Sequence, residues 1–350
     1  MANVKRVLVT GSGGAPSINF ERSLRDSPEK FYLVGTDLKY YVHRSETEKT
    51  FIAPFADEQD YIEKMEKLIE REKIEFLHCQ PDNEVSRVSR DRKKLNVRTF
   101  LPQHATVELC QDKFQSYRLW KKAGLKVPET TLISSPEELK KAFDELGEVW
   151  VRNITGAAGL GALPTTSFEL AKAWIDHRDG WGRFTAAQKL TRDSVTWLSL
   201  WRDGELIVAQ GRKRVAWEFA NRSPAGVTGI TGVAFTVADP VVDEIAQKAI
   251  LALDRNPHGI FGVDLTYDKE HIPNPTEINI GRFFTTHYFF TKAGLNMPYI
   301  YVKLGFDEPV ELPAKRINPL PAGLYWVRGM DVEPKLVTQK EVDDYDRNTL

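Results

Sequence analysis

Cysteine is scarce in this 350-residue chain, which contains only Cys79 and Cys110 and no CxxC pair. The sequence also shows no secretory signal at its start and no apolar run long enough to span a bilayer. Two isolated cysteines without targeting features are typical of a protein in a reducing compartment. We therefore expect a cytoplasmic protein with no membrane partner.

An excess of charge of one sign is missing as well, because 48 Lys and Arg residues balance 49 Asp and Glu residues, for a formal net charge of −1. No global basic field points to nucleic acid or to an anionic membrane, so any positive site must be local. The composition that remains, 41% hydrophobic and 28% charged, is that of a globular protein. The chain is long enough to bury a sizeable core in two or three closely associated subdomains.

The N-terminal region alternates strand-like runs with helical patterns as far as about residue 105. Its candidate strands are 7–9, 32–34, 51–53 and 76–79, and its clearest helical stretch is 58–72. This order predicts an open parallel sheet with crossover helices.

A glycine-rich turn follows the first of these strands, with Gly11, Gly13 and Gly14 ahead of a helical pattern. A strand, a tight turn and a helix in this order are typical of dinucleotide-binding domains. The third glycine of that fingerprint is replaced by Pro16, so the pattern is incomplete. Other segments must decide the function.

The rest of the chain predicts two further regions. A helix over 112–123, stopped by Gly124, leads into a small α+β unit that extends to about residue 190. Antiparallel strands over 194–210 and 212–236, a helix over 240–254 and two strands over 260–280 follow. The proline-containing last forty residues predict an irregular wrap or tail.

The segment GVDLTYDKEHIPNPTEINIGRFFTTHYF carries the most chemical information. Glu277 and Asn279 lie two apart in a strand-like context, so both project from one face, and Asp264 lies on a preceding strand that could pair with theirs. Oxygen-only ligation is what Mg²⁺ prefers, particularly beside phosphate. Arg282 follows the strand and is placed to hold an anion. The alternative is an exposed sheet face that carries polar residues.

A second candidate segment, VWVRNITGAAGLGA, runs from a strand ending in Arg152 into a loop with Gly156, Gly159 and Gly161. Such glycines let backbone N–H groups close on phosphates while the cation meets their charge. The loop lacks the Gly-Lys-Ser/Thr ending of a Walker A sequence, and a flexible surface hairpin is the alternative. Further on, Gln188-Lys189-Leu190 closes a strand where a hinge between subdomains could bury a flat base.

Taken in order, six segments resemble the ATP-grasp superfamily. They are the N-terminal glycine turn, HCQPDNEV, QDKFQSYRLWKKAGLKVPET, WVRNITGAAGLGA, AQKL and GVDL…TEINIGR, which cover about residues 5 to 290. Arg152, an arginine rather than a lysine before the glycine loop, is similar to the pattern of proteins related to one half of the carbamoyl-phosphate synthetase large subunit. The resemblance implies an α/β ATP-grasp fold with an N-terminal Rossmann-like (pre-ATP-grasp) domain at 1–110, a small α+β lid with its linker helix at 111–190, a mainly antiparallel C-terminal ATP-grasp subdomain at 191–310, and an irregular C-terminal wrap or tail at 311–350.

The resemblance also implies a role for each matching residue. The ATP-binding set is Lys113, Arg152, Thr155, Gly156, Gly159, Gly161, Gln188, Lys189 and Leu190. The first two would contact phosphates, the loop 156–161 would cover them as a mobile lid, and the last three would line the adenine slot. The metal ligands would be Asp264, Glu277 and Asn279, which hold Mg²⁺, with Mn²⁺ as the alternative ion. Arg282 would hold the acyl phosphate and, with Arg152, form the catalytic pair.

Substrate-side candidates share a position on the cleft side of the same fold. They are Gly11, Gly13, Gly14, Asp82, Glu84, Arg212 and Arg214. The glycine turn faces the cleft in this family, and its amides would hold part of the acceptor. The two acidic residues fall at a strand end, with a solvated loop as the alternative. The two arginines alternate on one strand face and are candidates for the carboxylate or the triphosphate, with exposed strand cations as the alternative.

Two departures from the family pattern affect these assignments. The acidic residue that usually binds the ribose hydroxyls is replaced near its position by Val195. Either Asp193 substitutes for it or ribose recognition is weaker. The usual Asn-Pro-Arg is one residue longer here, because Ile280 and Gly281 separate Asn279 from Arg282. The extra residue could turn Arg282 out of the cleft, whereas it does not affect Glu277.

The resemblance therefore implies an ADP-forming ATP-dependent ligase, in which a carboxylate becomes an acyl phosphate and an amine or similar nucleophile displaces phosphate. Three alternatives remain: kinase-like phosphorylation without ligation, a nucleotide-sensing module, and a nicotinamide oxidoreductase supported by residues 6–25 and Asp37. The expected partners are a small carboxylate and an amine, and the resemblance allows a homodimer.

Overall fold

The structure is a computed structural model that describes residues 4–156, 159, 161–227 and 230–329, together with 340 and 344. The strands in these ranges are β1 (Lys5–Thr10), β2 (Phe31–Asp37), β3 (Lys49–Ile52), β4 (Phe76–His78), β5 (Thr130–Ile133), β6 (Val149–Asn153), β7 (Leu163–Thr165), β8 (Phe184–Gln188), β9 (Ser194–Arg202), β10 (Glu205–Trp217), β11 (Thr231–Val237), β12 (Gly259–Tyr267), β13 (Pro273–Ile280) and β14 (Tyr325–Val327). The α-helices are α1 (Ala15–Arg25), α2 (Tyr61–Glu72), α3 (Asp82–Asp91), α4 (His104–Gln111), α5 (Lys113–Lys122), α6 (Pro136–Leu146), α7 (Phe168–His177), α8 (Pro240–Leu253), α9 (Tyr288–Lys292) and α10 (Met297–Gly305).

The N-terminal sheet is parallel, with strand order β3-β2-β1-β4. The apolar run of β1 is buried because both faces of a parallel sheet are covered by other elements. On α2, Met65, Leu68 and Ile69 form the buried stripe that its sequence period predicts. The predicted open parallel sheet with crossover helices is therefore confirmed.

A smaller antiparallel sheet follows, with strand order β5-β8-β6-β7. Helices α6 and α7 pack on it through a separate apolar core that includes Leu139, Ile175 and Phe184. Its elements follow the order β5, α6, β6, β7, α7 and β8, which is the small α+β arrangement predicted for the chain up to about residue 190. This small sheet carries the glycine loop between β6 and β7.

The third sheet is larger and has the strand order β13-β12-β9-β10-β11-β14. Alternate residues of β9 enter two different cores: Val195 and Trp197 pack with α8, and Leu198 and Leu200 pack with α10. Both faces of the central strand are therefore covered along much of its length. Among these apolar residues of β9 lies the polar residue Thr196, which is part of the candidate site.

The predicted break between strands near residue 211 is wrong. Strand β10 is continuous through Gly211, and the hairpin turn lies earlier, at Asp203 and Gly204, both with positive φ. An Asp-Gly pair supplies the left-handed conformations of a two-residue hairpin, and this signal was available in the sequence. The consequence is that Arg212 and Arg214 lie in the middle of one long strand.

The described part of the last forty residues is more regular than predicted. Ile317 forms a bridge with Ala209, and β14 adds an edge strand to the large sheet by pairing with β11. Backbone pairing with β11 gives this segment regular structure, although its prolines obscure any periodic pattern in the sequence. Within the described ranges, no helix is long and apolar enough to cross a membrane.

Candidate functional site

A cavity of about 720 Å³ lies between the small sheet and the large sheet. The loop after β6 and the segment 220–227 both contribute to its walls. The sequence-predicted residues that line it are Lys113, Arg152, Thr155, Gly156, Gly159, Gln188, Lys189, Leu190, Arg212, Arg214, Asp264, Glu277, Asn279 and Arg282. Residues 157, 158 and 160 of the predicted lid lie outside the described residues. Segments far apart in sequence therefore converge on one cavity.

A row of polar side chains crosses four strands on the floor of this cavity. Arg212 on β10 is aligned with Thr196 on β9, which is aligned with Asp264 on β12, which in turn is aligned with Glu277 on β13. Aligned residues of neighbouring strands project from the same face, so the pairing register places all four on one surface.

Hydrogen bonds link this row to the end of β13. Arg214 donates through Nη2 to Asp264 Oδ1 at 2.7 Å, and Asn279 Nδ2 donates to Asp264 Oδ2 at 3.2 Å. Arg282 Nη2 donates to Asn279 Oδ1 at 2.6 Å, and its Nε donates to the carboxylate of Asp82. In this hydrogen-bonded series each carboxylate is paired with a cation, Asp264 with Arg214 and Asp82 with Arg282. The extra residue in the motif does not turn Arg282 away from Asn279.

The charge of Asp264 is maintained by these neighbours. Burial alone raises the pKa of Asp264, but the positive charge of Arg214, the hydrogen bonds from Thr196 and Arg214, and the charge of Arg212 together lower it. Asp264 is therefore ionised at neutral pH and able to bind a cation.

Lys113 and Arg152 approach the row from the small-sheet side. Asp112 caps α5 by accepting from the amides of Phe114 and Gln115, at 3.0 and 2.9 Å, and this positions Lys113 at the helix start. Lys113 Nζ donates to Gly156 O and lies 3.5 Å from Glu277 Oε2.

Arg152 is held at the same end of the row. Its Nη2 donates to the carbonyl of Thr276 at 3.0 Å. Burial lowers the pKa of Arg152, and the charge of Glu277 opposes that shift. Lys113 and Arg152 therefore bring two cations to the end of the row that Glu277 occupies.

The donor set fits a magnesium ion that shares its coordination with phosphate. Asp264, Glu277 and Asn279 offer two carboxylates and an amide oxygen on adjacent strands, and all are hard oxygen donors. Among the described residues there is no cluster of three or more His, Cys, Asp and Glu side chains that would hold a metal unaided. Phosphate oxygens and water would complete the shell.

An apolar wall that the sequence reading missed lies beside the predicted hinge. Pro128, Trp150 and Ala187 line the cavity near Gln188 and Leu190. Strand pairing aligns Trp150 with Ala187, so the two meet on neighbouring strands. A flat apolar wall of this kind suits a base, and its signal in the sequence was the Val-Trp-Val alternation of β6.

The substitute proposed for the ribose carboxylate is placed elsewhere. Val195 is buried on the opposite face of β9, and Asp193 is half exposed and paired with Lys213 at 3.2 Å. Ser194 and Thr266 line the cavity at this position instead. The polar groups nearest to a ribose would therefore be hydroxyls rather than a carboxylate.

The glycine turn is not brought to the cavity. The amide of Gly13 donates to Asp37 Oδ2 at 2.7 Å, and the amide of Gly14 donates to Gly11 O at 2.9 Å. A Cβ at Gly13 would lie 2.0 Å from the carbonyl oxygen of Tyr41, so the backbone of Tyr41 packs closely against the turn. Because the amides of Gly13 and Gly14 already donate within this region, the turn gives no support to the nicotinamide alternative, and the predicted substrate contact of Gly11, Gly13 and Gly14 stays a prediction.

Gly161 also differs from its predicted position, since it does not line the cavity. It has a φ of +83°, and a Cβ there would lie 2.6 Å from Asn153 Oδ1. Its carbonyl accepts from Trp174 Nε1 at 2.9 Å. Gly161 therefore shapes the end of the loop by close packing, and its predicted contact with ATP stays a prediction.

Glu84 does not face the cavity, although Asp82 reaches Arg282. Both lie on α3, where two residues correspond to a rotation of about 200°, so they point in opposite directions. Glu84 is only 7% exposed and accepts from the Tyr61 hydroxyl at 3.0 Å. Helical geometry therefore turns Glu84 into the N-terminal core and away from the cavity, and its predicted substrate role stays a prediction without support from this arrangement.

Burial of Glu84 predicts a pH-dependent stability. Desolvation raises the pKa of Glu84 from 4.5 to about 7, so the folded protein binds this proton more tightly than the unfolded chain. The free energy of unfolding should fall as pH rises from about 4.5 to about 7, by about 1.4 kcal/mol per pKa unit. Glu84→Gln should flatten this part of the curve and be the more stable protein at pH 8. Urea unfolding at several pH values measures the difference, and parallel curves would contradict it.

Comparison with solved structures gives matches over most of the chain. Carboxyaminoimidazole ribonucleotide synthase from Aspergillus clavatus, complexed with ATP, is 16% identical with a TM-score of 0.68, over 91% of this chain and 80% of that one. The biotin carboxylase domain of 2-oxoglutarate carboxylase from Hydrogenobacter thermophilus, with magnesium ADP and bicarbonate, is 16% identical with a TM-score of 0.70, over 92% and 73%.

A third match is L-amino acid ligase from Bacillus licheniformis, at 14% identity and a TM-score of 0.64, over 89% of this chain and 76% of that one. No protein-family model and no curated protein matches the sequence. At these identities the matches establish the fold alone. Together with the sheet orders described above, they show that the chain has the ATP-grasp fold.

Proposed function

We propose that the protein is an ADP-forming ATP-dependent ligase that activates a carboxylate and joins it to an amine or a similar nucleophile. The observation that carries this proposal is the single cavity in which the glycine loop, Lys113 and Arg152 meet the row that contains Asp264 and Glu277. This cavity pairs phosphate-binding groups with oxygen donors for a divalent cation. The ATP and ADP complexes among the similar structures support the same assignment.

Cationic side chains of the site form ion pairs with its carboxylates. Bound ATP would draw some of these cations from the carboxylates to its phosphates. Lys113 lies against Glu277, and Arg214 lies against Asp264. A magnesium ion bound with the nucleotide would neutralise these carboxylates and part of the phosphate charge. Lys113 and Arg152 would then hold phosphate oxygens, and Glu277, Asn279 and Asp264 would hold the ion.

The proposed reaction has two steps. A carboxylate oxygen of the acid attacks the γ-phosphorus, and the bond from that phosphorus to the bridging oxygen breaks with its electron pair on ADP. The nitrogen of the amine then attacks the acyl carbon, phosphate leaves with the C–O electron pair, and the amine loses a proton. Arg282 lies beside Asn279 and would stabilise the negative charge that develops in both steps. It would act by its charge alone and would form no covalent bond.

Location and assembly follow the same proposal. We infer a cytoplasmic enzyme whose acid and amine substrates are small molecules, with Mg²⁺ as the ion. The similar domain from H. thermophilus is a dimer, which supports a homodimer for this chain. Size-exclusion chromatography with light scattering tests the assembly directly.

Nucleotide binding is the first test. ATP with Mg²⁺ at about one hundred times its Kd should raise the melting temperature by roughly 5 °C or more, and NADH should not. Lys113→Ala should reduce the ATP shift, because it removes a phosphate cation. Lys121→Ala is the matched control, since that lysine is on the same helix, exposed, and paired with Glu129. A shift with NADH alone would overturn the proposal.

Ligation is separated from phosphorylation by the products. A screen of paired carboxylates and amines should show ADP release that depends on both components, and mass spectrometry should find the new amide. Hydroxylamine in place of the amine should trap the acyl phosphate as a hydroxamate. ADP release with a stable phosphorylated acid and no amide would identify the kinase alternative. Binding of ATP without any turnover would identify a sensing module.

A further inference from the structure

Arg212 is a buried cation that the phosphate and metal assignments do not use. It is only 2% exposed, yet it lines the cavity at the β10 end of the polar row. Its guanidinium lies over the ring of Phe284, 4.1 Å from the centroid. A buried arginine held flat against an aromatic ring is fixed in place rather than solvated.

The hydrogen-bonding capacity of Arg212 is only partly used. Nη1 donates to Thr286 Oγ1 at 2.8 Å and Nη2 to Thr196 Oγ1 at 3.4 Å, which are two of the five N–H groups of a guanidinium. Nε has no acceptor among the described residues, none of which forms an ion pair with Arg212. Its hydrogen-bond partners are thus two neutral hydroxyls, and the negative charge of Asp264 acts on Arg212 only without an ion pair, because Asp264 is paired with Arg214. A buried cation with so little opposing charge is unfavourable.

Metal binding would leave Arg212 with still less negative charge opposite it. Asp264 is the counter-ion of Arg214, and in the proposed reaction it becomes a metal ligand. Arg328 adds positive charge that acts on Arg212, and it donates to Thr285 O at 3.3 Å. Arg212 and Arg214 would then face the cavity together with no carboxylate of their own.

The phosphates of ATP are assigned to the other end of the row. Lys113 and Arg152 approach Glu277 on β13, and Arg212 lies three strand spacings away, about 14 Å between backbones. The carboxyl that is activated must lie near Arg282 and Asn279, also at the β13 side. An anion at Arg212 therefore belongs to a different part of the substrates.

We propose that Arg212, with Arg214 beside it, binds a second anionic group on the acid substrate, so that the acid is a dicarboxylate or a phosphorylated carboxylic acid. This inference rests on the proposed ligase function, because it assigns the substrate class of that same site. The anion supplies the missing counter-ion of Arg212, and Thr196 and Thr286 orient the guanidinium toward it. A monocarboxylate would leave the buried charge unmatched.

The test compares acids of equal length with one and two anionic groups. Calorimetry on the wild-type protein, saturated with Mg²⁺ and a non-hydrolysable ATP analogue, should show binding of succinate or 3-phosphoglycerate at least about tenfold tighter than binding of butyrate or glycerate. Including both dianions distinguishes a second carboxylate from a phosphate. Equal affinity for the dianionic and the monoanionic acid in both pairs would overturn the proposal. This measurement uses only the wild-type protein, so it does not depend on the folding of a variant.

Arg212→Gln supplies the second arm. For the best dianionic acid it should raise KM roughly 10- to 100-fold, with less than about a threefold change for ATP. Lys213→Gln is the matched control, because it removes a cation from the neighbouring position of β10 that pairs with Asp193 and does not line the cavity. A loss confined to ATP affinity would assign Arg212 to the nucleotide and contradict the inference.

Failure of the function and failure of the subsite give different results. Tight, Arg212-dependent binding of a dianionic acid without ADP release would support the subsite and contradict the ligase proposal. Amine-dependent ADP release with amide formation that is equally efficient with monocarboxylates, and unchanged in Arg212→Gln, would support the ligase and overturn the subsite.

Discussion

Glu277→Ala should leave the fold intact and lower the rate of ADP release by at least about a hundredfold. Glu277 is half-buried at the cavity, where its carboxylate meets Lys113 at 3.5 Å. Its loss removes a ligand of the proposed ion and frees Lys113 at the same time. Steady-state ADP release across a magnesium titration measures the effect. We expect an apparent Mg²⁺ requirement shifted to higher concentration as well as a lower maximum.

Glu270→Ala is the control for that experiment. Glu270 lies in the turn of the same β12–β13 hairpin, is exposed, and pairs with Lys126 outside the cavity. It should retain wild-type turnover and show a similar melting temperature. If Glu277→Ala kept near wild-type ADP release at saturating Mg²⁺, then Glu277 would not be a metal ligand, and the site would have to be reassigned to Asp264 and Asn279 alone.

Arg282→Ala should lower kcat by about a hundredfold or more with little change in ATP affinity. Its guanidinium connects Asn279 and Asp82 at the end of the polar row, beyond the residues assigned to the triphosphate. Charge develops there as the phosphoryl group is transferred, whereas Lys113 and Arg152 still hold the nucleotide in the variant. Calorimetric ATP titration beside steady-state rates separates the two effects.

Two further variants sharpen the assignment of Arg282. Asp82→Asn removes its carboxylate partner without removing the arginine, so we expect a smaller loss than in Arg282→Ala. Arg202→Ala is the matched control, because Arg202 is a partly exposed arginine of β9 that pairs with Asp307 away from the cavity. An ATP affinity loss that accounts for the whole Arg282→Ala defect would mean that the arginine serves the nucleotide instead.

Local pattern was sufficient for most of the elements. The buried run of β1 and the apolar stripe of α2 are properties of consecutive residues, so their periods predict the strand and the helix directly. The pairing of Asp264 with Glu277 also follows from a local feature, because β12 and β13 form a hairpin. The turn at Asp203 and Gly204, which the sequence analysis missed, is also predictable locally, because an Asp-Gly pair favours the left-handed conformations that it adopts.

Long-range contacts were beyond the reach of pattern. Arg282 and Asp82 are 200 positions apart, and only the docking of α3 against the end of β13 brings them together. The closure of the glycine turn by Tyr41 depends on how one backbone segment packs on another. No property of the glycine-rich stretch distinguishes an open turn from one that is already filled.

The sequence by itself determined the fold class and the identity of the charged residues available to a nucleotide, because these depend on local periodicity and on the order of motifs. Only the tertiary structure decided which of those residues share a cavity. Helix rotation turns Glu84 into the core, and strand register places Arg212 in one row with Glu277, buried and without an ion pair to any of the described residues. Burial and pairing depend on every element packed around a side chain, so neither can be read from its neighbours in sequence.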